Sequence, residues 1–159
     1  MIAENVQRLL AQIAGGNGMG EPVTLVAATK TRTSEEINEA IAAGIMDIGE
    51  NKVQEFTQKF DAVQGGRRHF IGHLQTNKVK YLIGKADLIQ SLDRYELADE
   101  LQKRAEKAGW TANCLIEVNI GSELSKSGFS RKDVRAAYEK LRTYPNIRLC
   151  GLMAMLPIS

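Results

Sequence analysis

Lys30 stands at the carboxyl end of an apolar run, VTLVAAT (Val23 to Thr29), and is followed by a second polar residue, Thr31. A lysine amine is a nucleophile only when neutral, and burial or a neighbouring cation lowers its pKa toward that state. A lysine that starts from seven residues of core strand begins its reach from a partly desolvated position, which suits Schiff-base chemistry on a carbonyl. The same position also suits a strand-end lysine that simply extends to solvent. His73, in the run GHLQTN, could serve as a general base or stack on a ring, and a loop histidine can equally be a hydrogen-bonded structural residue. Glu50 and Asn51, which close the run MDIGEN, could anchor a cofactor or cap a helix that begins near Lys52. Met153 and Met155 offer soft apolar contact to a flat ligand. Cys114 and Cys150 lie in apolar runs with no CxxC spacing and no nearby His, so both read as buried thiols rather than metal ligands or a disulfide.

Lys30, Asn51 and His73 share a placement, because each follows a short apolar run, and Glu50, Met153 and Met155 lie at the carboxyl end of one. Six such runs alternate with longer amphipathic ones: Val23 to Thr29, Met46 to Glu50, His69 to Gly72, Leu88 to Leu92, Asn113 to Asn119 and Ile147 to Met155. Several are nearly continuous in apolar residues, as strands buried on both faces of a parallel sheet are. Helices are expected over Ala3 to Ala14, over Ser34 to Ala43 with Ser34 as N-cap, from Arg94 to a stop at Gly109, and over Ser130 to Thr143 with Ser130 as N-cap. The glycine-rich GGNGMG at residues 15 to 20 precedes the first strand, so it reads as a flexible turn rather than a phosphate loop, which must follow a strand and open a helix. His69, at the opposite end of its strand from the polar mouth, reads as structural.

Six βα units leave two architectures, an open doubly wound sheet or a (β/α)8 barrel of which the chain supplies about three quarters. In both, the functional face lies at the carboxyl ends of the strands. No linker separates domains, so residues 1–159 are expected to form one.

With 159 residues, 43% hydrophobic and 25% charged, the chain has the composition of a soluble globular domain. Its 21 Lys+Arg against 19 Asp+Glu leave a net charge of +2, far from the basic excess that nucleic acid would need. The opening MIAENVQRLLAQIAGG carries polar residues on every turn, with neither a signal peptide nor the roughly 20 apolar residues of a membrane span. The expected setting is the cytoplasm, with no membrane or nucleic-acid partner.

Five blocks carry a resemblance: LVAATKT around Lys30, AIAAGIMDIGENKVQE from Ala40 to Glu55, HFIGHLQTNK from His69 to Lys78, EVNIGSELSKSGF from Glu117 to Phe129, and GLMAM from Gly151 to Met155. In this order, along the whole chain, the sequence resembles the pyridoxal 5′-phosphate (PLP) homeostasis protein family. The resemblance implies an α/β fold, a TIM (β/α)8-type barrel like the N-terminal domain of alanine racemase, with about six of its βα units in this chain. It implies PLP held as a Schiff base on Lys30, with Asn51, His73 and Met153 beside the cofactor and Asn77 and Lys126 in secondary positions. Members of the family continue into a Ser- and Met-rich stretch and an Arg-Gly loop that hold the cofactor phosphate. The sequence ends at Pro157-Ile158-Ser159 before either, so the expectation is a chain truncated at its C-terminus.

The function implied is binding and homeostasis of PLP without established turnover, by a protein that is monomeric at full length and passes cofactor to PLP-dependent apoenzymes. A PLP-dependent amino-acid racemase or related enzyme is the alternative, and a cofactor-free Schiff-base enzyme of the aldolase type is a third reading. Racemisation needs an acid or base on each face of the substrate. Tyr81, Tyr95, Tyr138 and Tyr144 fall on or just after expected helices, which leaves His73 and Lys126, neither with an orienting partner visible in the sequence.

Overall fold

The computed structural model describes residues 1–121 and 127–156. They fall into two compact units, Met1–His69 and Phe70–Ser159.

In the first unit, helix α1 (Ile2–Ile13) precedes strand β1 (Val26–Ala28), helix α2 (Ser34–Ala42), strand β2 (Asp47–Glu50) and helix α3 (Val53–Lys59). Its core gathers Val6, Ile37, Ile45, Ile48 and Val63, one or two apolar residues from each element or its flank, with Leu10, Leu25 and Ile41 against them. Strands β1 and β2 pair in parallel, Val26 opposite Asp47 and Ala28 opposite Gly49. That register explains why β1 is shorter than the apolar run VTLVAAT. Strand β2 begins at Asp47, so residues ahead of Val26 have no partner there, and Val23 is 42% exposed. Helix α2 starts one residue earlier than its Ser suggests. Thr33 is the N-cap, its hydroxyl accepting from the Glu36 N–H (3.1 Å) while its own N–H donates to Glu36 Oε1 (3.0 Å). The glycine-rich turn is held in place: Asn17 Oδ1 accepts from the N–H groups of Met19 and Glu21, both at 2.9 Å.

Strand β3 (Arg67–Phe70) leads into the second unit, where a 3₁₀ turn (Thr76–Tyr81) that the periodicity does not reveal precedes strand β4 (Leu88–Leu92). Helix α4 (Tyr95–Ala108) buries Leu97, Ala98, Leu101 and Ala105 on one stripe and stops, as expected, where Gly109 turns left-handed. Strand β5 (Ala112–Asn119) buries alternate residues, and pairs in parallel with β4 and with the last strand, Ile147–Met153. A two-residue strand β6 (Phe129–Ser130), too short to stand out in the sequence, also lies parallel to β5. Ser130 is therefore not the N-cap of helix α5 (Val134–Leu141), although its hydroxyl still accepts from the N–H of Asp133 at 3.1 Å.

The last strand, β7 (Ile147–Met153), corrects one expectation. Cys114 is buried but Cys150 is exposed. Leu149 pairs with Cys114 and Gly151 with Leu115, so Cys150 is the extra residue of a bulge and turns away from the ladder that covers its neighbour.

Candidate functional site

The carboxyl ends of β1 and β2 are built around an ammonium group that is not Lys30. Thr29, buried, donates its N–H to the Gly49 carbonyl at 2.9 Å and its hydroxyl to Glu50 Oε2 at 2.5 Å. Lys59 Nζ, on a side chain only 16% exposed, donates to the Thr29 carbonyl (2.9 Å), Glu50 Oε2 (3.1 Å) and Glu55 Oε2 (2.8 Å). Glu55 Oε2 in turn accepts the Thr31 N–H at 2.9 Å. Burial pulls the Lys59 pKa down, but its hydrogen bonds to Glu55 and Glu50 outweigh that and hold it above its ordinary value. Glu55 lies below the usual carboxylate range, first because of Lys59 and then because of the Thr31 N–H.

Lys30 itself is exposed, so it does not set out from the desolvated position that its strand suggested. The early end of β1 at Ala28 is the reason. Lys30 lies two residues past that end, and the chain bends just after it at Thr31, φ 63°. Neither Glu50 nor Asn51 caps α3, whose N-cap is Lys52 with no side-chain hydrogen bond. Glu50 is buried beneath the strand ends, and its Oε1 has no hydrogen-bond partner among the described residues. Asn51 is half-buried at the end of β2. Sequence reasoning missed Lys59, although the spacing of Glu55 and Lys59, four apart on a helix, is a readable signal for a paired face.

His69 is structural, as expected. It is buried in β3, with Nε2 at 2.8 Å from Asp47 Oδ1, and Arg67 clamps the same carboxylate through Nε (2.7 Å) and an NH2 nitrogen (2.8 Å).

In the second unit the strand ends gather a different set. His73 is exposed, and its Nδ1 lies 3.6 Å from Asp93 Oδ2, whose side chain is 4% exposed. Arg94 holds the other Asp93 oxygen at 2.6 Å and the Leu74 carbonyl at 2.7 Å, tying the end of β4 to the His73 loop. His73 thus has a buried carboxylate nearby that the sequence did not disclose, at a distance longer than a hydrogen bond. Glu117, half-buried near the end of β5, has its pKa raised by burial and by the charge of Asp93. Met153 lies opposite Glu117 in the ladder, so the ends of β4, β5 and β7 bring Asp93, Glu117 and Met153 to one place, with His73 against Asp93. Asn77 lies exposed in the 3₁₀ turn. Lys126 lies outside the described residues. Among the described residues no cluster of His, Cys, Asp or Glu could hold a metal ion, and no helix is long and apolar enough to cross a membrane.

Comparison with known proteins bears on the fold and the family. The family described as alanine racemase, N-terminal domain, matches residues 1–159. The pyridoxal phosphate homeostasis protein of Aquifex aeolicus is 42% identical over 158 residues, which is 98% of this chain and 68% of that protein. The pyridoxal phosphate homeostasis protein of Synechocystis sp. is 34% identical over 139 residues, 86% of this chain and 64% of that protein. The chain therefore spans about two thirds of the length of these relatives. The structure of PipY from Synechococcus elongatus PCC7942 with PLP bound superposes with a TM-score of 0.83 at 28% identity, over 100% of this chain and 72% of that one. The fold class is thus the parallel α/β fold of the alanine racemase N-terminal domain, the TIM-type alternative of the two architectures. The chain belongs to the alanine racemase N-terminal domain family and, within it, to the pyridoxal phosphate homeostasis proteins.

Proposed function

We propose that this protein binds pyridoxal 5′-phosphate in PLP homeostasis and holds it as a Schiff base on Lys30, without catalytic turnover. PLP supplies an aldehyde carbon that condenses with a neutral lysine amine and releases water. The observation that carries the reading is the exposed Lys30 amine at the carboxyl end of β1, where a protein with this fold presents its chemistry. The surrounding groups fit such a ligand. Glu50 Oε1 is a buried acceptor without a partner among the described residues, and Asn51, half-buried on the next strand end, carries both a donor and an acceptor. The PLP-bound PipY structure supports the choice of cofactor.

In this reading Lys30 anchors the cofactor and Asn51, on the next strand end of the same unit, orients it; the roles that the family resemblance implies for His73, Met153, Asn77 and Lys126 stand as further proposals. The protein is one domain, works in the cytoplasm as a monomer, and releases PLP to apoenzymes. A titration of the protein with PLP tests the reading: a saturable absorption change in the parent, absent in Lys30→Ala, is expected, and an identical titration of the two proteins overturns it.

A PLP-dependent racemase or related enzyme is favoured by one observation, the His73–Asp93 pair, in which a buried carboxylate lies beside an exposed imidazole. Exchange of an amino acid's α-proton with deuterated solvent, abolished in His73→Ala, would select this reading, and absence of exchange would leave the carrier.

A further inference from the structure

Thr31 is the one non-glycine residue with positive φ among the described residues, at 63°. A β-branched side chain rarely adopts this conformation; the Arg32 N–H closes the turn locally onto the Thr29 carbonyl at 3.1 Å, and contacts from outside the turn reinforce it. Those outside contacts converge on the two peptide groups flanking the Lys30 Cα. The peptide before it offers the Thr29 carbonyl, which takes a hydrogen bond from Lys59 Nζ at 2.9 Å. The peptide after it offers the Thr31 N–H, which donates to Glu55 Oε2 at 2.9 Å. Lys59 and Glu55 are themselves paired at 2.8 Å, one turn apart on α3 and largely shielded from solvent. The strand-end turn is thus closed on both sides of Lys30 by a single ion pair.

We infer that Lys59 and Glu55 are positioning residues for Lys30, fixing through its two flanking peptides the direction in which its amine leaves the strand. The inference rests on the proposed role of Lys30 and extends it to residues that touch no cofactor. Lys59 engages one oxygen of each of Glu50 and Glu55, so the turn is held by this ion-pair cluster and not through the Lys30 amine. Depressed Glu55 and elevated Lys59 pKa values keep the pair ionised across the neutral range.

The test compares the parent, Glu55→Ala, and the double variant Thr31→Gly with Glu55→Ala. Three properties are read in each: PLP affinity, hydrogen exchange of the Thr31 amide, and the rate at which trace acetic anhydride modifies Lys30. Glu55→Ala is expected to speed Thr31 exchange and to weaken PLP binding about ten- to a hundredfold, the range that loss of alignment at a reacting group produces. Glycine adopts positive φ freely, so the double variant should regain most of that affinity, which a general loss of stability would not allow. If Glu55→Ala unfolds, Glu55→Gln takes its place. It keeps an acceptor for the Thr31 N–H while removing the charge, and an intermediate loss is expected.

Parent-like binding in Glu55→Ala overturns the inference, and so does a loss that Thr31→Gly leaves untouched in a folded protein. Should the parent fail to bind PLP through Lys30, the functional reading falls. The positioning role is then decided separately by Thr31 exchange and Lys30 acetylation, which need no cofactor.

Discussion

Replacing Asp47 by Asn should weaken the Met1–His69 unit while leaving the chemistry of Lys30 intact. Asp47 opens β2 with a side chain 3% exposed, and its carboxylate accepts from Arg67 twice and from His69 Nε2 once. Hydrogen bonds to a charged group contribute roughly 1.5–3 kcal/mol when shielded, and the bond from buried His69 takes that full range. Arg67 is 57% exposed, so its fork is discounted for solvent to about 1 kcal/mol. Asparagine keeps the shape but turns an amide toward donors, so the loss should be about 2–4 kcal/mol, which for a chain of this size lowers Tm by roughly 5–15 °C. Arg67 holds the Asp47 carboxyl below the usual carboxylate range, an effect that burial partly offsets and His69 reinforces. A group depressed in this way adds stability that is present above its unfolded pKa of about 3.9 and is lost as pH falls through the lower folded value. Urea melts of parent and variant between pH 3 and pH 7 should therefore draw closer toward the acid end, with PLP capture unchanged at neutral pH. A variant within about 0.5 kcal/mol of the parent at pH 7, or a gap that does not narrow on acidification, would refute the reasoning.

Three further outcomes follow from the second unit. At Gly128, φ 119°, an added Cβ would lie 2.7 Å from the Asn119 nitrogen, a backbone atom that cannot swing aside. Gly128→Ala should thus cost about 2–6 kcal/mol in a denaturant melt, and a neutral substitution would contradict the geometry. Leu101 is fully buried on α4, so Leu101→Ala should lower unfolding free energy by about 2–5 kcal/mol, and a loss below about 1 kcal/mol would mean the helix is not seated as described. A thiol reagent at neutral pH should modify Cys150 and spare Cys114, whose thiol burial pushes up to about 12; two fast equivalents in the folded protein would contradict the bulge.

The strand and helix alternation was legible because each element carries its own periodicity. Leu97, Ala98, Leu101 and Ala105 mark α4, and Gly109 marks its end, without any knowledge of their neighbours. What the sequence hid depends on partners. The length of β1 is decided by where β2 begins, so no inspection of VTLVAAT alone could shorten it to Val26–Ala28. Cys150 looks as buried as Cys114 until the bulge separates them. The prominence of Lys30 was readable from its place after a strand, but its setting was not. Lys59 lies 29 positions along the chain, and only the fold brings its ammonium to the Thr29 carbonyl. In the same way Asp93, twenty residues from His73, becomes its partner only through the end of β4.

The central claim is that Lys30 bonds PLP. Its most direct test is borohydride reduction of the protein mixed with PLP, followed by proteolysis and mass mapping of every lysine. The account predicts one reduced pyridoxyl group, on the peptide containing Lys30. No label, or label spread over exposed lysines such as Lys78 and Lys80, would contradict it.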